Sequence, residues 1–388
     1  MAAAAAVAAP VTGPGANTAA HPRSASDQTG DERLRVAWEE VKQWNELHTP
    51  QNTRRTYETY RRQFHEWCGH NGFRPVPADP IAVARFIQFC ATDERTLGSG
   101  RALSKGTITH AVPSAIADEH KRAGLQSPTS SPIVAMALRT AQRAAPHGRG
   151  SKRPLTTDLL KRMFAAPLSA GESELLRLRN RSLVLLMQAA FLRESEAVAL
   201  RASDVSVEKW PVSGHADDGR GGAVASGGAG GGGGGAATTT NVLLIRIVRS
   251  KTDQFERGDT VVVADNDGDR CLRPTQTYVE WRDQHELSTL FDEAAESEWA
   301  FPDLTTGRAL SPDTPRGIIK RWLSAIGEDP TLYGGHSARS GGATSAASQG
   351  IAMHLLKRHG RWRSDAVYVY IHDSVEDRIA VSRAALAE

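Results

Sequence analysis

The sequence predicts a mainly α protein with two ordered domains: an all-helical N-terminal domain, and a C-terminal domain of mixed α/β character with a small antiparallel sheet. Three observations predict it. Tyr57, Tyr60, Phe64 and Trp67 recur at i, i+3, i+7 and i+10, which is one apolar face of a helix. Residues 242–249 (VLLIRIVR) read as a strand, and Thr260 to Ala264 reads as its partner. A chain of 388 residues with 40% hydrophobic content suits two or three domains with cores of their own.

Residues 1–30 are rich in Ala, Gly, Pro, Ser and Thr, lack aromatic residues, and are expected to form a disordered tail. They hold one arginine, Arg23, where transit peptides hold several, so a disordered tail is preferred over an organelle-targeting role, which stays open. The first domain is expected over residues 32–145. Its second apolar helix, Ile81 to Cys90, follows Pro77 and Pro80, with proline at the helix start where it is tolerated. Ser104 is placed to cap a helix over Lys105 to Arg122, which Pro113 should kink or interrupt, and Ile133 to Arg143 forms a further helix. Residues 146–153 (PHGRGSKR) are a basic, Gly-containing linker. The second domain spans 154–388. Leu175 to Phe191 reads as a long helix, apolar from Leu183 onward. Residues 213–240, mostly Gly, Ala, Ser and Thr, cannot supply a core and read as a disordered insertion, which a fold tolerates at small entropic cost. Helices are expected at Pro274 to Gln284, Thr314 to Ile326, Ser337 to Gln349, Ile351 to Arg358, Ser364 to Ile371 and Val375 to Leu386.

Composition excludes several classes. No run of 18 apolar residues exists, so no membrane partner is expected. Cys68, Cys90 and Cys271 have no CxxC spacing, which argues against a zinc site or a disulfide framework and suits an intracellular protein. Net charge is only +3, but residues 31–153 hold 19 Lys and Arg against 12 Asp and Glu, whereas residues 154–388 hold 27 against 31. A basic N-terminal half suits a domain that holds DNA. Arg54, Arg55, Arg61 and Arg62 form two pairs seven residues apart beside the apolar face, and with Lys105 they are the candidate phosphate contacts.

The chemistry concentrates near the C-terminus. In GGHSARSGG (334–342), His336 and Arg339 stand three apart, so on a helix they share a face. Arginine suits a grip on two phosphate oxygens. GRWRSDAVYVYI (360–371) follows, with Trp362 and a tyrosine whose oxygen is a nucleophile once its proton is removed. Upstream stand FLRESEAVALRASDV (191–205), where Glu196 is placed to orient a basic neighbour, and RIVRSKTD (246–253).

These strings, in this order, resemble the tyrosine recombinase (phage integrase) family in its Cre-like branch, and are similar to recombinases of eukaryotic mobile elements. The resemblance covers roughly residues 32–387. It implies a helical core-binding (SAM-like) domain, a mixed α/β catalytic domain with a small antiparallel sheet, and a linker that lets the two close on a duplex. It implies that Arg193 and Arg339 clamp the phosphate, Lys251 protonates the departing 5′ oxygen, His336 helps move the nucleophile's proton, and Trp362 donates an indole N–H to a phosphate oxygen. Tyr370 matches the nucleophile. Tyr368 is its competitor; two residues apart on a helix is about 200°, so only one can face the site. Tyr370 is preferred because Ile371 and His372 follow it, as an Ile and a polar residue follow the nucleophile in Cre-like members. The interval from Trp362 to Tyr370 is one residue shorter than in bacterial members and similar to the mobile-element form. Lys209 and Lys152 are distant competitors for the lysine role, and His359 for the role given to Trp362.

The implied activity is site-specific strand cleavage and rejoining through a 3′-phosphotyrosine, with no metal, nucleotide or redox cofactor. The implied partners are double-stranded DNA and three further copies, a homotetramer on two DNA sites, acting wherever the DNA lies (the nucleus in a eukaryote). Two other readings stand beside it: a type IB topoisomerase-like relaxing enzyme, which uses the same residue types, and a catalytically inactive DNA-binding descendant of a mobile-element recombinase.

Overall fold

The computed structural model describes residues 25–92, 103–144, 152–169, 171–212, 238–248, 258–266, 268–289, 298–373 and 375–385. It divides into two units, Met1–Gly150 and Ser151–Glu388.

The first unit is helical: α1 (Ala25–His48), α2 (Gln51–Asn71), α3 (Pro80–Ala91), α4 (Val112–Arg122) and α5 (Pro132–Ala144). Helix α1 begins inside the expected tail, so residues 25–30 are helical and the tail expectation is corrected there; residues 1–24 lie outside the described residues. Once a helix is nucleated each added residue gains a hydrogen bond, so composition alone underestimates its reach. At the start of α3 the Asp79 carboxylate accepts from the Ile81 N–H at 2.7 Å, with Pro80 in the first helical position. The expected helix over Lys105 to Arg122 begins with Ser104 Oγ accepting from the Thr107 N–H at 3.1 Å. It then passes through a π turn at Thr107–Ala111 before α4. There the Val112 N–H reaches the Thr107 carbonyl, five residues back. Pro113 has no N–H and its ring crowds the turn behind it, and the widened turn absorbs both defects. The core gathers Phe64, Trp67, Phe86, Ile108, Ile116 and Val134, with Phe64 and Phe86 ring centroids 5.1 Å apart.

The second unit begins with α6 (Thr157–Ala165), α7 (Glu174–Ala189) and α8 (Glu194–Val198). Strands β1 (Val205–Val212), β2 (Thr238–Ile247) and β3 (Asp259–Ala264) form one antiparallel sheet in the order β1-β2-β3. Then come α9 (Pro274–Thr289), α10 (Thr314–Ala325), α11 (Ser337–Ser348), α12 (Met353–His359) and α13 (Val375–Ala384). The sheet corrects one boundary. Thr238, Thr239 and Thr240 fall within the expected Gly-rich insertion, yet they pair with Val212, Pro211 and Trp210. β-branched threonines fit a pleated ladder and extend it past the apolar run; the rest of the insertion, 213–237, lies outside the described residues. In β3, Val261 and Val263 point into the core and alternate with exposed neighbours. Trp281 and Tyr278 of α9 and Trp322 of α10 are almost fully buried in the same core. Among the described residues no helix is long and apolar enough to cross a membrane.

Two features bring the site together. Helix α11, SARSGGATSAAS, is built almost wholly of small residues. A Cβ on Gly342 would stand 2.1 Å from the Gln188 carbonyl oxygen and 2.7 Å from the Phe191 ring; one on Gly341 would stand 2.0 Å from the Leu155 carbonyl oxygen. Backbone therefore meets backbone where α11 crosses the end of α7, which larger residues would prevent. The second feature corrects an expectation: the helix expected over Ser364 to Ile371 is a 3-10 turn, Asp365–Val369, capped by the Ser364 hydroxyl. Two residues span about 240° there rather than 200°, and Tyr368 and Tyr370 still face apart: Tyr368 is 58% exposed, while Tyr370 is partly buried.

Candidate active site

Helix α7 ends because Phe191 takes a positive φ of 49°, a conformation that non-glycine residues avoid. The turn aims the Phe191 carbonyl inward and starts α8 at Arg193. The Arg193 N–H donates to Glu196 Oε2 at 2.9 Å, and its guanidinium donates to Glu196 Oε1. Burial raises the pKa of Glu196, but Arg361, Arg193 and hydrogen bonds outweigh it, so the carboxyl titrates below its ordinary range and is ionised at neutral pH.

Arg339, on the first turn of α11, is fully buried. It donates through Nη1 to the Phe191 carbonyl and through Nη2 to the Gly360 carbonyl, and Nη1 stands 4.0 Å from Glu196 Oε2. Its guanidinium carbon lies 4.3 Å from the Trp362 ring centre and 5.3 Å from that of Tyr370. Burial first, then the neighbouring Arg193, push its pKa down; guanidinium holds its proton so tightly that Arg339 remains a cation. His336 caps α11 and is exposed, its ring 5.7 Å from that of Tyr370 and nearly edge-on. The Trp362 ring lies 5.2 Å from the Tyr370 ring, and its Nε1 is buried without a hydrogen-bond partner.

His336, Arg339 and Trp362 therefore converge on Tyr370, as the i, i+3 spacing of the first two implies, and Arg193 stands beside Arg339 across Glu196. Lys251 lies outside the described residues. Strands β2 and β3, which flank it, pair in register from Val242↔Ala264 to Ile247↔Asp259. Of the alternatives, His359 uses Nε2 on the Ala189 carbonyl at 2.7 Å, and Lys152 donates to the Thr331 carbonyl. Lys209 sits on β1 opposite Asn241.

The candidate phosphate contacts belong to the first unit. Arg54, Arg55 and Arg62 are exposed on α2, and Arg62 stands 3.8 Å from Glu66. Arg61 lies 3.6 Å from Glu58 and 3.9 Å from Asp118 on α4, and so also links two helices. Lys105 is partly exposed ahead of the π turn.

Sequence reasoning missed three residues at the site. The hydroxyls of Ser340 and Thr344 both donate to the Tyr370 carbonyl, at 2.6 and 3.1 Å. With His336 they form an i, i+4, i+8 stripe, a signal that was available in the sequence. Arg361 is the third: it is buried, has φ 57°, and donates to Glu196 Oε2 at 2.9 Å.

The chain is 23% identical over 331 residues to an integrase/recombinase xerD homolog of Selenomonas ruminantium, covering 82% of this chain and 81% of that one. It superposes on the Tn1549 transposon integrase, solved in complex with transposon right end DNA, with a TM-score of 0.52 at 12% identity, over 89% of this chain and 98% of that one. The chain shares the fold of that integrase. No family model matches it. At this centre three guanidiniums, Arg193, Arg339 and Arg361, meet one carboxylate, Glu196. The surplus of positive charge is suited to an anion.

Proposed function

We propose that this chain is a site-specific DNA recombinase or integrase that cleaves and rejoins strands through a 3′-phosphotyrosine on Tyr370. The observation that carries the reading is the convergence of Arg339, His336 and Trp362 on that one tyrosine, with Arg193 beside Arg339 across Glu196. Attack by the phenolic oxygen raises negative charge on the non-bridging phosphate oxygens, and prepositioned cations stabilise that charge without reorganising. A free phenol has a pKa of about 10 and needs help to lose its proton; His336 is the exposed imidazole beside it. The indole N–H of Trp362 serves as a donor only. The bond energy stays in the phosphotyrosine until a 5′ hydroxyl attacks it. The test is incubation with a library of nicked duplexes, with EDTA present, followed by sequencing of whatever DNA becomes covalently attached. Absence of any adduct across the library overturns the reading.

In this reading Lys251 is the general acid for the 5′ oxygen. Lys251→Ala should slow cleavage by roughly 10²–10⁴. A 5′-bridging phosphorothiolate, whose sulfur departs without a proton, should restore the rate. If the thio-substrate is cleaved as slowly as the normal one, Lys251 is not that acid.

Assembly into a tetramer is part of the proposal. Helix α13 exposes Val375, Ile379 and Val381. Leu386, where the helix expected from the sequence ends, lies outside the described residues. The second unit also carries an apolar groove of about 850 Å³, lined by Ile351, Leu355, Leu356, Val262 and Ala346 among others. An amphipathic helix from the next protomer suits such a groove. Truncation after Ser374 should leave binding to a single site unchanged and remove cooperative binding to a two-site fragment in a gel-shift titration. Cooperative complexes at unchanged protein concentration would exclude α13 as the coupling element.

A further inference from the structure

Arg361 is held in a backbone conformation that suits glycine, φ 57°, yet the position carries the bulkiest of cations. The side chain is almost entirely buried, so it does not reach DNA itself. It follows α12, and its guanidinium spans four acceptors. Nη1 donates to the carbonyls of Ala190 at 3.3 Å and His359 at 3.1 Å; Nη2 donates to the Phe191 carbonyl at 3.1 Å and to Glu196 Oε2 at 2.9 Å. Two of these acceptors are shared with the phosphate clamps. The Phe191 carbonyl also accepts from Arg339, and the Glu196 carboxylate also accepts from Arg193. Arg361 is thus the one side chain among the described residues seen to join both clamp arginines through common acceptors.

We propose that Arg361 is a positioning residue for strand cleavage: through Glu196 and the Phe191 carbonyl it fixes Arg193 and Arg339 in one geometry for the scissile phosphate. This rests on the cleavage reading above and extends it to a residue that never touches the substrate. The planar fork is what the role requires, since an ammonium cannot bridge a carbonyl and a carboxylate in fixed directions. Glu196 is faced by Arg361 from the turn after α12, by Arg193 from the start of α8, and by Arg339 from α11. Removing Arg361 removes the strongest charge that opposes burial at this carboxyl, so Glu196 should then protonate at higher pH. In the wild type its charge is present above the ordinary carboxylate range and is lost only as pH falls through a depressed pKa; in the variant that loss begins sooner.

The experiment compares wild type, Arg361→Gly and Arg361→Lys on a nicked duplex that traps the phosphotyrosine, reading DNA affinity, single-turnover rate at saturating DNA, the pH–rate profile and the melting curve. Glycine relieves the positive φ, which favours a folded variant. Arg361→Gly should bind DNA like wild type but cleave about 100-fold more slowly, as misplacement of reacting groups by about an ångström does, with the acid limb of its profile moved to higher pH. Arg361→Lys should bring the acid limb back toward wild type while recovering only part of the rate. Cleavage by Arg361→Gly within about threefold of wild type, well below the cost of such misplacement, overturns the proposal. A slow Arg361→Gly with an unmoved acid limb also overturns it, since that is the signature of a residue that only closes the turn. A wild-type protein that forms no adduct at all overturns the cleavage reading and this assignment together.

Discussion

Tyr370→Phe is expected to abolish the covalent protein–DNA adduct and leave duplex binding unchanged. The substitution removes one oxygen. The ring remains beside Trp362 and His336, the Arg339 guanidinium keeps its aromatic face, and the backbone carbonyl keeps its bonds from Ser340 and Thr344. A loss confined to the proposed nucleophilic oxygen should therefore remove the adduct altogether and leave affinity unchanged. Tyr368→Phe serves as the control. Tyr368 is mostly exposed and turned from the site, so its phenol should be dispensable for the chemical step. The measurement is a protease-resistant 3′-linked adduct on a nicked substrate, beside a gel shift for affinity. An adduct that persists in Tyr370→Phe and vanishes in Tyr368→Phe would reverse the assignment.

Much of this was legible in the sequence because it was written in local patterns. The apolar face Tyr57, Tyr60, Phe64, Trp67 is a period the eye can read, and Phe64 and Trp67 are buried in the helical unit. The alternation in residues 242–249 marks β2, and Glu196 three residues after Arg193 was read as an orienting acceptor, which the hydrogen bonds match. What escaped depends on contacts distant in sequence. Nothing local in GRW says that Arg361 folds under the turn at Phe191, 170 residues earlier, to reach its carbonyl. Helix ends were the other weak point. The end of α7 is set by one left-handed residue, Phe191, and the start of α1 by propagation from downstream; neither is a composition signal. The turn before Tyr370 is expected as an α-helix from the sequence, and no local signal distinguishes its 3-10 form. Its 3-10 form follows from tertiary ties on either side, the Lys357–Asp365 pair at 2.6 Å and the two hydroxyls on the Tyr370 carbonyl.

Arg193 and Arg339, the proposed phosphate clamps, should behave differently when removed, although both should end cleavage. Arg193 is partly exposed and tied to one carboxylate, which Arg361 also holds. Arg193→Ala therefore leaves Glu196 compensated, and the fold should survive with its melting temperature little changed. Arg339 is fully buried and supplies hydrogen bonds to two backbone carbonyls, those of Phe191 and Gly360, from separate segments of the chain. Arg339→Ala leaves a cavity beside Trp362 and leaves Gly360 without that donor, so it should also destabilise the second unit, by roughly 1–3 kcal/mol, the cost of a buried acceptor left without its donor. In single-turnover cleavage each variant should lose on the order of 10³–10⁵, the range over which an arginine stabilises a phosphoryl transition state. Lysine should rescue neither fully, and Arg339 least, because one ammonium cannot face two carbonyls set in different directions. Thermal melting beside the cleavage rate separates the effects: Arg193→Ala should fall in rate alone, Arg339→Ala in both. Cleavage by Arg193→Ala within about tenfold of wild type, far less than a lost clamp arginine costs, would remove it from the clamp and leave Arg339 as the phosphate's principal charge.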